Sequence, residues 1–288
     1  MIAVMASGAD SAWSWNLIDD FRDMWSYPFM VNAFRAGSIV AVVAGAVGWF
    51  MVLRKQTFAG HTLAISAFPG AAAATLLGIS ATIGYFAFAF AAAVVVAIAA
   101  KPGRRFNEES AVVGTLQAFV LACGFLFVYL YKGFLNSVTA PLFGSSFAIT
   151  NDQVVTLGAV AAAALAVLVV IGRPLFFASV DSDVAAARGV RVRLHGAVFL
   201  VVLGAAAAEA SQIAGALLVF SLLVMPAATA QRVSTKPAVS LAVAVVFALI
   251  ATWAGLVLAY YALYPLGFCI SSFAFGGYLL ARAARRAA

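Results

Sequence analysis

Between Thr62 and Ala100 the chain runs for 39 residues without one charged side chain. As a single α-helix that run would measure about 58 Å, nearly twice the roughly 30 Å of a bilayer's hydrocarbon core. It must fold back once, and Gly78-Ile-Ser-Ala-Thr-Ile-Gly84 is where the turn is expected. Apolar runs of this kind recur from end to end. Only 9% of the residues are charged, against about 25% in a soluble domain, and the mean hydropathy is +1.07. The short alternating segments of a β-barrel are absent. The fold class is therefore an all-α polytopic membrane protein with about eight or nine transmembrane helices.

Spans are expected at about 31–53, 62–79, 82–100, 111–131, 153–172, 195–208, 213–230, 238–261 and 266–281. The run 195–230 is again too long for one crossing, and Glu209-Ala-Ser-Gln212 offers its break. Suppose the basic loop at 101–109 faces the cytoplasm and the spans alternate. Of the 17 lysines and arginines, only Arg22, Arg35 and Lys132 then fall outside. That bias obeys the positive-inside rule, with the N-terminus outside and the C-terminus cytoplasmic. It also accounts for a net charge of +7 without invoking nucleic acid.

Three regions follow. Residues 1–30 form an N-terminal interfacial segment, in which Trp13, Leu17, Phe21, Met24 and Trp25 share a face opposite Asn16, Asp19, Asp20 and Asp23. Residues 31–282 form the membrane domain, and 283–288 a basic tail. In the first span Gly37, Ala41, Gly45 and Gly48 make a small-residue stripe, suited to close packing within the chain or across a dimer. Cys123 and Cys269 have no C-x-x-C spacing and read as small buried hydrophobes.

The dipeptide Gly-Lys, which a P-loop requires, does not occur. Neither do H-E-x-x-H, G-x-S-x-G or a pair of carboxylates within a span, so the chain reads as part of a transport machine and not as an enzyme. Ion-coupled transporters keep ionisable groups inside the membrane. Here Glu209 is the one clear acidic candidate, and the span boundaries place it near an outer turn. There it could help a cation enter or simply solvate the turn. With so little internal charge, the energy for transport must come from elsewhere.

The segment Ser179-Val-Asp-Ser-Asp-Val-Ala-Ala-Ala-Arg-Gly-Val190 lies on the cytoplasmic side. Asp181 or Ser182 can cap a short helix there, and Gly189 can end it in the left-handed conformation. It is either a surface loop or a short exposed helix able to dock a soluble partner. His61 is either a ligand met by a passing transition metal or a helix-start histidine at the interface. His195 reads as interfacial, Met225 as packing, and Pro226 as a kink within its span.

The Ser179–Val190 segment resembles the D-x-x-x-A-x-x-x-G-V signature in the membrane permeases of zinc, manganese and iron ABC importers, through Asp181, Ala185, Gly189 and Val190. Gly215-Ala-Leu-Leu-Val and Pro226-Ala-Ala-Thr-Ala230 resemble the same family's G-x-L-L-V…P-A-x-x-A segment. Arg54, Lys55, Gly60, His61, Leu63, Pro69 and Gly70 resemble its R-R-x-x-x-x-G-[DH]-x-L-x-H…P-G motif. Leu142-Phe-Gly144 and Tyr264-Pro-Leu-Gly267 fall in their expected places, so the ordered matches span about residues 31–282. In the opening motif, Gly60 and Pro69-Gly70 are expected to shape the entry of the second span.

This resemblance implies a homodimeric permease of the prokaryotic inner membrane, working with two copies of an ATPase that binds the ATP and with an external metal-binding protein. The coupling region is then about 175–193, with Asp181, Asp183, Ala185 and Gly189 at its centre. No tightly bound cofactor is implied, because zinc or manganese, or iron, is the cargo. His61, Ser66, Glu209 and Gln212 are the candidate lining of the path, with His61 and Glu209 as transient metal contacts. One departure stands out: Ile65 occupies the position where the family commonly has histidine. Two rivals remain open at this point, a secondary transporter that needs no ATPase and a membrane scaffold without a transported substrate.

Overall fold

The computed structural model describes residues 17–99, 106–131, 148–215, 219–262 and 264–287. Among them follow α1 (Leu17–Ser26), α2 (Pro28–Leu53), α3 (Thr57–Leu77), α4 (Ala81–Ala99), α5 (Phe106–Leu130), α6 (Asn151–Val180), α7 (Ser182–Ala187), α8 (Val192–Ala214), α9 (Val219–Val233), α10 (Pro237–Ala262) and α11 (Leu266–Ala287). The long apolar run turns at the expected place. Gly78 takes φ +70°, a conformation that favours a residue without Cβ, and α4 begins three residues later.

Eight of these helices are long and apolar enough to cross a membrane, and α9 is an apolar helix of 15 residues. The bundle is layered. α2, α3 and α8 have 72–83% of their apolar windows buried within the protein, whereas α4, α5, α6, α10 and α11 have 17–33% buried. The first three form the centre and the others face lipid along much of their surface. Small residues make that centre possible. A Cβ at Gly45 would lie 2.7 Å from Val245 Cα in α10, and Gly48 abuts the Leu223 carbonyl of α9. The small-residue stripe of α2 is therefore used for packing within the chain.

Contacts sort the helix ends into two levels. At one level the Arg54 guanidinium donates to Ser179 Oγ at 3.3 Å, Trp49 Nε1 to Ser240 Oγ at 2.9 Å, and Gln231 Nε2 to the Trp49 carbonyl at 3.0 Å. Arg232 sits over the Tyr278 ring at 5.0 Å, which brings the later turns of α11 to the same level. At the other level Asn32 Nδ2 donates to the Ile149 carbonyl at 3.3 Å, and Tyr27 lies 6.5 Å from Tyr260. α9 thus runs back toward the level from which α8 departs. The start of α2 and the end of α11 lie at opposite levels, as an odd number of traverses requires.

Several boundaries differ from the sequence expectation. α8 passes straight through Glu209–Gln212 and stops at Ala214, where Gly215 takes φ +82°. The polar cluster stays helical because the small residues around it pack closely on the neighbouring helix. α6 does not stop at 172; it continues past Pro174 to Val180, because its last turns pack beside α7 and α8. α2 begins at Pro28, where proline suits the first helical turn, and α11 carries the basic tail on as helix to Ala287. Pro69 and Gly70 lie in the middle of α3, not at its entry; Gly70 faces the Gly84 carbonyl of α4, so the pair serves a close crossing. Trp13, Asn16, Leu142-Phe-Gly144, residues 101–105 and 216–218, and Lys132 lie outside the described residues.

Candidate functional site

Glu209 lies on the most buried helix of the bundle. Alanines precede and follow it, so α8 approaches its neighbours closely; a Cβ at Gly204 would lie 3.1 Å from the Ala89 carbonyl of α4. The carboxylate is 0% exposed, and neither oxygen has a hydrogen-bond partner among the described residues. An ionised carboxylate buried away from water is costly unless a partner or counter-charge accompanies it. Glu209 is therefore not a surface solvator of an outer turn, contrary to one of its two sequence readings. It is a buried oxygen donor whose ionised form requires a cation.

One turn further, Gln212 Oε1 accepts from Thr82 Oγ1 at 3.2 Å, and its Nε2 donates to the Ala208 carbonyl at 3.4 Å. Ser211 donates to the Ala207 carbonyl at 2.7 Å and faces the Ala64 carbonyl of α3 at 3.5 Å. The end of α8 is thus pinned between α3 and α4. Thr82 and Ser211 were not singled out from sequence, since one was assigned to a turn and the other to a break.

His61 lies in the second turn of α3, half-buried, with its ring centroid 4.9 Å from that of Phe220 of α9 in a T-shaped arrangement. Its Nδ1 is buried without a partner among the described residues. Ser66 is fully buried and donates to the Leu63 carbonyl at 2.6 Å, leaving only oxygen lone pairs for any passing ion. Ile65 is 8% exposed and offers no donor to a passing ion. Among the described residues no three His, Cys, Asp or Glu side chains converge as a metal cage. The donors that exist are scattered over α3, α4 and α8, an arrangement suited to weak successive contacts rather than to holding an ion.

The α7 segment is a second, separate structure. Asp181 Oδ1 accepts from the backbone N–H of Asp183 at 3.1 Å and of Val184 at 2.9 Å, a complete N-cap. Gly189 takes φ +82° and donates to the Ala186 carbonyl, while Val190 donates to that of Ala185, closing the C-terminal end. Ala185 is buried at 4% in an otherwise exposed helix, and α7 touches both α6 and α8. Asp183, Val184, Ala186, Ala187 and Arg188 remain exposed. Through Ser179, Arg54 fastens the end of α2 beside this helix and lies 5.6 Å from the Phe199 ring of α8. His195 is half-buried, with Nδ1 2.9 Å from the Arg191 carbonyl.

The model of the ABC 3 transport family matches residues 26–284. The chain belongs to the ABC 3 transport family. Within the family, the manganese import system permease protein ScaB of Streptococcus parasanguinis is 31% identical over 216 residues, 74% of this chain and 76% of that relative. The manganese transport system membrane protein MntC of Halalkalibacterium halodurans is 29% identical over 245 residues, 84% of this chain and 82% of MntC. The structure of PsaBC from Streptococcus pneumoniae in complex with Fab is similar to this ABC 3 family chain with a TM-score of 0.81 at 26% identity. It covers 92% of this chain and 95% of the other.

Proposed function

We propose that this ABC 3 family permease carries a divalent transition metal, manganese first and zinc or iron next, across a prokaryotic inner membrane. Two copies of the chain form the conduit, two copies of a separate ATPase drive it from the cytoplasmic face, and an external protein delivers the metal. The Arg54 level is cytoplasmic, and the Pro28 end of α2 faces outward. The observation that carries this reading is α7: a short exposed helix, capped at both ends and seated by one buried alanine between α6 and α8. A force applied to such a helix reaches α8 directly, and α8 holds Glu209 and Gln212 between α3 and α4.

The manganese preference is supported by what ScaB and MntC are named for and by the donor chemistry. Carboxylate, amide and hydroxyl oxygens suit manganese, and a single imidazole adds one nitrogen. His61, Ser66, Glu209 and Gln212 are the lining this reading uses, with His61 and Glu209 as transient metal contacts. Asp181, Asp183, Ala185 and Gly189 form the coupling element. The external protein and the path share the task of selection, and the sparse lining lets the ion leave quickly.

The test is uptake of radiolabelled manganese and zinc into vesicles holding this chain with its ATPase and external binding protein. Manganese uptake that requires ATP supports the proposal. Uptake by the chain alone under a proton or sodium gradient would instead establish a secondary transporter.

A further inference from the structure

Arg35 stands eight residues into α2, exposed, with no hydrogen-bond or ion-pair partner among the described residues. It lies 19 residues from Arg54, a rise of about 28 Å along the helix, close to the thickness of a hydrocarbon core. With Arg54 at one polar boundary, Arg35 reaches the other. A guanidinium at that boundary sits at headgroup level, where the anion present in quantity is lipid phosphate.

The surroundings are shaped for one. Arg35 lines an open hollow of about 390 Å³ between α1, α2 and α6 together with Trp25, Ser26, Asn32 and Asn151, and no carboxylate among the described residues lines it. Asn32 is held in place by its bond to the Ile149 carbonyl. Asn151 is the first residue of the 30-residue α6, whose N-terminal end carries partial positive charge. The Thr150–Gln153 capping box engages the Gln153 N–H, leaving the N–H groups of the first two helical residues facing outward from the helix end. Asp152, the nearest acid on that helix, lies outside the cavity lining. Trp25 and Tyr27, 51% and 39% exposed, stand beside it as an interfacial aromatic pair.

We propose that this cavity binds the phosphate of a phospholipid headgroup in the leaflet at the Pro28 end, with Arg35 as the bidentate donor and Asn151 completing the cradle. The proposal depends on the chain's membrane fold and not on what it transports. A free phosphate has the same chemistry, but the site's place at the membrane boundary and the flanking aromatic rings favour a lipid.

The full-length chain, stripped of lipid in detergent, is titrated with phosphatidylglycerol and followed by native mass spectrometry. The wild type is expected to retain one more lipid per chain than Arg35→Gln, whose affinity falls by about tenfold, the order of a charge-assisted hydrogen bond. Arg35→Lys should restore part of the loss. Asn151→Ala, which leaves Arg35 in place, should weaken binding too, so a misfolded Arg35 variant does not decide the matter. Equal lipid retention by the wild type and by the folded variants overturns the proposal. Displacement of the lipid by millimolar inorganic phosphate makes this a free-anion site and overturns the lipid assignment. Loss of an external protein's binding in Arg35→Gln with lipid retention unchanged also overturns it.

Discussion

Glu209 is the residue on which the membrane interior and the transport account meet. A fully buried carboxylate with two unpartnered oxygens weakens the fold unless it is neutral or has a cation beside it. Replacing it with leucine should therefore raise the stability of the detergent-solubilised protein by roughly 1–3 kcal/mol, the usual cost of an unsatisfied buried polar group. The same change should cut metal uptake at least tenfold. Thermal unfolding and uptake measured on one preparation would show whether the two move in opposite directions. Lower stability in Glu209→Leu would mean that the carboxylate has a structural partner. His61→Ala should lower uptake less, because Phe220 packs against the ring and limits the ion's access to it. The chemical identity of these donors could be read from sequence, but their environment could not. Glu209-Ala-Ser-Gln212 has the composition of a break, and only the fit of Gly204 and the following alanines against α4 makes it a buried helix.

At the scale of helices, close approach decides what substitutions are tolerated. Gly70 and Gly84 face each other's backbone across α3 and α4, so a methyl group on either has no room. Gly70→Ala or Gly84→Ala should destabilise the bundle by roughly 1–3 kcal/mol, visible as a lower unfolding temperature. An unchanged temperature would show that the crossing is looser than this geometry requires. The turn at Gly78 was legible because length forbids a 39-residue span and glycine marks the place. The packing role of Pro69-Gly70 was not, because Pro-Gly inside an apolar run looks like an end when the facing helix is unknown. α7 was legible at both ends, since an aspartate cap and a left-handed glycine are local chemistry. Gly189→Val places a branched side chain at φ +82° and should cost α7 roughly 1–2 kcal/mol. Hydrogen exchange across 182–190 should then accelerate while the spanning helices keep their protection. Unchanged exchange there would mean that α7 does not depend on this cap.

The whole molecule holds two separated structures: the scattered donors on α3, α4 and α8 that form the proposed path, and an exposed helix seated against α6 and α8. The small central residues make the first possible, and the extension of α6 beyond its membrane span presents the second. The alternation of the cations from Arg54 to Arg286 expressed this two-sided arrangement in the sequence, and the segregated helix ends reproduce its parity. What composition could not convey was which helices sit at the centre, because α3 and α8 are less apolar than the lipid-facing α4, α5, α6 and α10. The most direct measurement follows ATP hydrolysis and manganese uptake together, in vesicles containing this chain, its ATPase and its external binding protein. Ala185→Glu, which drives a charge into the seat of α7, should abolish both uptake and the stimulation of hydrolysis by the external protein. Glu209→Ala should retain that stimulation while uptake falls. Manganese uptake that survives Ala185→Glu, or proceeds without ATP, would contradict the claim that α7 delivers the force for transport.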